Sequence, residues 1–237
     1  MENALTFAIG DVHGCFDELR SLLELCRKNT GGIEHGFILL GDYVDRGPAS
    51  NEVIALLMRE QAAGECRFRC LRGNHDEMLL TAAHPARSDA DLMQWFDNGG
   101  KATLDAYGLD DPSELPADHL AWIRALPVRI HEEERFFVHA GVRPGTPLSE
   151  QLERDLLWIR EPFLSSRQWH GALVVHGHTP TANAAPEVRC NRVNIDTGAC
   201  FGRSLTAAAF RSNKVGPAFF INSDGLRFEV LENDGYR

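Results

Sequence analysis

The first 71 residues alternate between short runs of β-forming residues and amphipathic helical segments, and this alternation limits the folds open to the chain. "ALTFAI" (4–9) reads as a strand ending at Gly10, and "FDELRSLLELCRK" (16–28) as a helix. In that helix Leu19, Leu22, Leu23 and Cys26 recur on one face. Asp17 and Glu18 open it, Arg27 and Lys28 close it, and Gly31-Gly32 stop it. "GFILL" (36–40) is a second strand ending at Gly41, and "NEVIALLMREQAA" (51–63) a second helix, capped by Ser50 and stopped by Gly64. "CRFRCL" (66–71) is a third strand. A β-α-β-α-β order predicts a sheet with parallel strands.

Residues 77–131 carry helical patterns ("DEMLLTAA", "DADLMQWF", "ELPADHLAWIRAL") and read as a helical insertion or cap. Strand patterns return with "RFFVHA", "ALVVHG", "RVNID", "SLTAAAF", "PAFFIN" and "LRFEVLE". With no repeat, low-complexity tract or linker, all 237 residues are expected to form one domain. The net charge of −10 argues against nucleic acid as the main partner, because such binding needs clustered Lys and Arg. It leaves anionic substrates open, since bound cations invert a local field. No run approaches the ~18 apolar residues of a membrane span, and the N-terminus lacks a basic leader. A cytoplasmic protein without a membrane partner is the expectation. Cys66 and Cys70 flank "RFR" on one strand face and read as core thiols.

Lining up the strand ends reveals a pattern. The first three deliver Asp11 and His13 ("GDVHG"), Asp42, Asp45 and Arg46 ("GDYVDRG"), and Asn74, His75 and Asp76 ("GNHD"). Later ones deliver His139 ("VHAG") and His176 and His178 ("VHGHT"). Taken singly, Asp11 could cap a helix, Asp45-Arg46 could be a surface pair, and His139 a satisfied core histidine. Five coincidences at one kind of position are a different matter, because open α/β sheets bind ligands beyond the carboxyl ends of their strands. Carboxylate, amide oxygen and imidazole together are a transition-metal ligand set. Asp11, His13, Asp42, Asn74, His139 and His178 are too many for one four-coordinate ion with an open position and suit two ions sharing a carboxylate.

In this order, "GDVHG", "GDYVDRG", "GNHD", "VHAG" and "HGHT" resemble the five motifs of the calcineurin-like metallophosphoesterases. Within them the chain is similar to the bacterial and phage-type phosphoprotein phosphatases, also in "LLWIRE" and "NIDTGACFGRSLT". The resemblance implies a four-layer αββα sandwich of two mixed sheets with the helical insertion. It implies one ion on Asp11, His13 and Asp42, and a second on Asp42 as bridge, Asn74, His139 and His178. Arg46 and Arg160 would hold phosphoryl oxygens, as the guanidinium fork suits. Asn74 would touch substrate as well, and His176 would stand behind the ligands. Asp45 would orient His75 and favour its protonated form, making it the general acid. A hydroxide shared by the ions would attack phosphorus in line.

Substrate assignment stays open on the sequence. A phosphoserine or phosphothreonine protein phosphatase, or a phosphatase of small esters, is the first expectation. "GNHD" in place of the commoner GNHE is shared with symmetrical bis(5'-nucleosyl)-tetraphosphatases, the alternative, but those typically lack the second Asp of "GDYVD", present here as Asp45. Manganese is the expected metal, then iron or zinc, because three imidazoles disfavour a magnesium-only site. Oligomeric state is left open.

Overall fold

The computed structural model describes residues 4–64, 66–132 and 134–230. Its first sheet is built around the N-terminal alternation. Strands β1 (Leu5–Ile9), β2 (His35–Leu39) and β3 (Arg67–Cys70) run parallel, connected by helices α1 (Phe16–Lys28) and α2 (Ser50–Ala63). Helix α3 (Asn74–Ala82) follows β3 and opens the insertion, which continues as α4 (Asp89–Asp97), α5 (Gly100–Tyr107) and α6 (Ala117–Ala125).

The chain then passes to a second sheet: β4 (Arg129–Glu132), β5 (Arg135–Val138), helix α7 (Glu153–Trp158), β6 (Leu173–His176), β7 (Glu187–Val188) and β8 (Arg192–Asn194). It returns to the first sheet through β9 (Thr206–Arg211), β10 (Pro217–Asn222) and β11 (Arg227–Glu229). The sheet orders are β11-β10-β9-β1-β2-β3 and β4-β5-β6-β8-β7, both mixed.

Period-two burial explains the layering. Phe7, Ile9, Phe37 and Leu39 face the helices of the first sheet, together with Leu19, Leu22, Val53 and Leu57. The alternate residues, Ala8, Ile38, Leu40 and Leu71, face the second sheet and meet Phe137, Leu173, Val175 and Val193. Phe136, Val138 and Val174 point outward beneath Leu156, Ile159 and Phe163. Each fully buried side chain of this kind contributes roughly 1.5–3 kcal/mol. The result is the expected αββα order, although the outer layer over the second sheet is thin. There it consists of the six-residue α7 and irregular chain.

Several boundaries differ from the sequence reading. Helix α1 spans the expected 16–28 but is closed by Asn29, ahead of the two glycines, and Ala49 rather than Ser50 precedes α2. Ser50 is instead buried inside the first turn, with its hydroxyl 3.3 Å from that of Thr103. Cys66 lies outside β3, while Cys70 is buried in it. The insertion is helical from residue 74 but ends in strand β4, whose half-exposed "RIHE" lacks an apolar signal and pairs as an edge with β5. Predicted strand residues 231–232 lie outside the described residues. Among the described residues no helix is long and apolar enough to cross a membrane.

One corner of the insertion bears on the site. Gly99 adopts φ +100° and Gly100 starts α5 directly against the buried Trp95 ring. A Cβ at Gly100 would lie 2.4 Å from the indole carbons. Replacing Gly100 by alanine therefore overpacks this corner and should cost about 1–3 kcal/mol, read as a lower urea midpoint at unchanged slope.

Candidate metal centre

The parallel strands place their polar ends at one edge, and the backbone there is strained. Six non-glycine residues among those described have left-handed φ, and five are His13, Asp42, Asp45, Arg46 and His178. Such conformations cost of order 1–3 kcal/mol each and persist where the surroundings enforce them. Asp76 supplies part of that enforcement. Its carboxylate accepts N–H groups from Asp42 (2.9 Å), Tyr43 (2.9 Å) and Gly73 (2.8 Å), tying the end of β2 to the start of α3. Gly73 must be glycine, since a Cβ would fall 2.1 Å from an Asp42 carboxylate oxygen.

Asp42 occupies the middle of the cluster. Its Oδ1 accepts the His75 amide at 2.9 Å. Its Oδ2 lies 3.4 Å from His13 Nε2 and 3.4 Å from His139 Nε2. His13 donates Nδ1–H to Val44 O (2.8 Å) and His139 donates Nδ1–H to Leu40 O (2.9 Å), so each presents a bare Nε2 inward. Asn74 Oδ1 lies 2.8 Å from His139 Nε2 and 2.9 Å from His178 Nδ1. The buried Nε2 of His178 has no hydrogen-bond partner among the described residues. Both Asp11 oxygens accept the His178 amide at 3.1 Å.

Electrostatics sharpen this geometry. Burial pushes the carboxyls of Asp11 and Asp42 well above the usual range, helped by Asp196 and Asp42 for the first and by Asp76 for the second. Burial pushes His139 down to about 3 and lowers His13 and His178 strongly. A neutral His139 therefore sets a nitrogen lone pair against the amide oxygen of Asn74 with no proton between them. Two lone pairs at 2.8 Å repel, and a cation placed among them reverses the sign. The residues fit divalent metal ions. Two triads have ligand atoms close enough to share an ion: His13, Asp42 and His75, and Asp42, His139 and His178. Asp42 belongs to both. The first triad contains His75 where the sequence reading placed Asp11.

The remaining residues surround this core. His75 Nδ1 lies 2.8 Å from Asp45 Oδ2. Asp45 Oδ1 accepts from Trp95 Nε1 (2.9 Å) and from the Thr103 hydroxyl (2.8 Å), both on the insertion. Arg46 directs one guanidinium nitrogen to His75 Nε2 (2.8 Å) and the other to His13 Nε2 (2.9 Å). Protonation of His75 is not favoured here. Burial and the charges of Arg46 and Arg160 lower it to about 3, while burial raises Asp45 to about 7. Arg160 is exposed just beyond α7, and its charge is felt by His75, His139 and His178. His176 stands behind, its Nε2 3.3 Å from Arg192.

Sequence reasoning gave no role to Asp76, Trp95, Thr103 or Asp196. Asp196 could have been found: it follows β8, another strand ending at the same edge, and is buried close enough to raise Asp11. Trp95 and Thr103 lie in helical segments of the insertion, where nothing local marks their contact with Asp45.

Comparison with known proteins agrees with this geometry. The family model for calcineurin-like phosphoesterases matches residues 6–203. Serine/threonine-protein phosphatase 1 of Salmonella typhimurium strain LT2 is 31% identical over 211 residues, 85% of this chain and 90% of that protein. The asymmetrical bis(5'-nucleosyl)-tetraphosphatase of Bacillus subtilis strain 168 is 28% identical, covering 85% and 89%. A symmetrical bis(5'-nucleosyl)-tetraphosphatase of Neisseria meningitidis is 34% identical, but the match spans 58% of this chain and 44% of that protein. A crystal structure of a cold-active protein tyrosine phosphatase superposes with a TM-score of 0.70 at 18% identity, over all of this chain and 83% of the other, and shows the shared fold. With the motifs, the fold and the ligand cluster in agreement, the chain belongs to the calcineurin-like phosphoesterases and is a metal-dependent phosphatase.

Proposed function

We propose that the chain is a two-metal phosphomonoesterase acting on phosphoserine or phosphothreonine in proteins in the cytoplasm. One observation carries the two-metal reading: a single Asp42 oxygen stands 3.4 Å from imidazole nitrogens of two separate strand ends. Asp11, His13 and Asp42 would hold one divalent ion, and Asp42, Asn74, His139 and His178 the other. Manganese is the favoured ion, then iron or zinc, for the mixed imidazole and carboxylate set. Bound ions of this kind supply a nucleophilic oxygen at neutral pH and neutralise charge on the phosphoryl group.

The chain's own residues do the rest. Arg46 and Arg160 would take the phosphoryl oxygens, and Asn74 would lie beside them. In moving onto the phosphate, Arg46 would leave His75 Nε2, which then can carry a proton toward the departing oxygen. Asp45, fixed by Trp95 and Thr103, would hold the other ring nitrogen and so the ring's direction. The protein-phosphatase assignment is supported by the Salmonella relative, matched over nearly its whole length, and by Asp45 in the second motif. Hydrolysis of dinucleoside tetraphosphates is the second reading, supported by the Bacillus relative matched over a similar span and by "GNHD". Assaying a phosphothreonine peptide beside diadenosine tetraphosphate, with manganese, separates them. The first reading requires the higher kcat/KM on the peptide.

Replacing Asp42 by asparagine removes the shared charge, so both ions should bind more weakly in calorimetric titration. Loss at one site alone would remove Asp42 as the bridge. The variant His75→Asn should keep both ions and lose ~10²–10⁴-fold on an alkyl phosphate, whose alkoxide needs a proton. It should lose far less on p-nitrophenyl phosphate, which leaves without one. Loss of an ion would instead make His75 a ligand, as its place in the first triad allows. Arg160→Ala should raise KM or lower kcat while leaving metal affinity unchanged.

A further inference from the structure

The exposed face beside the metal centre carries a cluster of arginines that the chemistry above does not use in full. A cleft there is lined by Arg143, Leu152, Arg154, Trp158, Arg160 and Glu161, among others. Its connection to the centre is direct. Trp158 lines the cleft and turns its ring edge-on to His178, with centroids 6.2 Å apart. Arg160 lines it as well, and its charge is felt by three imidazoles of the centre.

The positive charge in this cleft is only partly balanced. Arg143 is held by Asp155 through two hydrogen bonds of 2.6 Å, and its amide donates to Gln151 Oε1 at 2.7 Å. That pairing fixes the cleft wall and neutralises one guanidinium. Glu161 accepts the Ser165 hydroxyl at 2.6 Å. Arg154 and Arg160 are exposed and have no carboxylate partner among the described residues. With Arg143 balanced by Asp155, Arg154 and Arg160 together outweigh Glu161, so the cleft is net positive on a chain of net charge −10. Arg160 both lines the cleft and acts on the imidazoles of the centre, and Arg154 lies on α7 one turn before Trp158.

We infer that this cleft is a subsite for a second anionic group of the substrate, engaged through Arg154 while the scissile phosphate sits at the metal centre. A guanidinium suits carboxylates and phosphates alike. On the proposed function, on which this inference rests for its first source, the group is an acidic side chain flanking the phosphorylated residue. Distal phosphates of a nucleotide polyphosphate present the same chemistry from a second source. Leu152, 68% exposed at the same cleft, and the half-buried Trp158 would cover the apolar part of either ligand.

The test compares wild type with Arg154→Glu and Arg154→Gln on four substrates. These are p-nitrophenyl phosphate, a phosphothreonine peptide with neutral flanks, the same peptide with acidic flanks, and diadenosine tetraphosphate. Arg154→Glu should lower kcat/KM about three- to tenfold for the polyanionic substrates, mainly through KM, with a smaller loss in Arg154→Gln. p-Nitrophenyl phosphate and the neutral peptide should be unaffected. Raising the salt concentration should shrink the difference, as screening of an exposed charge requires. Inhibition of p-nitrophenyl phosphate turnover by tripolyphosphate should weaken in the same order, and this reads the subsite even without peptide turnover. An equal change on all substrates, or none on any with unchanged inhibition, would overturn the subsite. Loss confined to the tetraphosphate, with no peptide hydrolysed, would keep the subsite and remove the protein-phosphatase reading. Peptide hydrolysis indifferent to flanking charge and to both variants would do the reverse.

Discussion

The carboxylate of Asp42 meets two imidazoles across a few ångströms, and the architecture is arranged to make that meeting possible. Its two neighbours arrive from different sheets: His13 beyond β1 of the first, His139 beyond β5 of the second. The inter-sheet core of Ile38, Leu40, Phe137 and Val175 therefore sets the distance between halves of the centre. A buried carboxylate among bare nitrogen lone pairs is unfavourable by itself. Burial raises Asp42 and lowers the imidazoles, so every titratable group of the cluster is pushed toward its neutral form. Divalent cations offset that cost directly, which is why the same residues that destabilise the empty arrangement electrostatically are well suited to hold metal.

The strain at this edge follows from the same demand. Left-handed backbone at His13, Asp42, Asp45, Arg46 and His178 turns side chains back toward one point. Asp76 holds part of that turn through three amide contacts, and the insertion holds the rest through Trp95 and Thr103 on Asp45. The insertion is thus part of the support for the Asp45–His75 pair. Arg46 is tied to it as well, since its amide donates to Gly99 O at 3.2 Å.

Much of this was legible in the chain. The β-α-β-α-β start and the glycine-flanked polar strand ends are local patterns, and local patterns survive folding. The buried stripe of α1 follows from spacing alone, as Leu19, Leu22, Leu23 and Cys26 show. What escaped was set by tertiary contacts. Strand β4 has a half-exposed, mostly polar sequence and is held in place as an edge partner of β5. Trp95 reads as an ordinary helix aromatic until the fold brings its indole to Asp45, fifty positions away. For His75, sequence shows the Asp45 partner but neither the depth of burial nor the proximity of Arg46 and Arg160, both of which lower its proton affinity.

The central claim is that Asp42 joins two metal ions drawn from two sheets. Its most direct test is a crystal structure of the manganese-loaded protein with anomalous scattering recorded at the manganese edge. The account predicts two anomalous peaks about 3.5–4 Å apart, sharing an Asp42 oxygen, with Asn74, His139 and His178 on one of them. A single peak, or two peaks of which Asp42 touches only one, would contradict it.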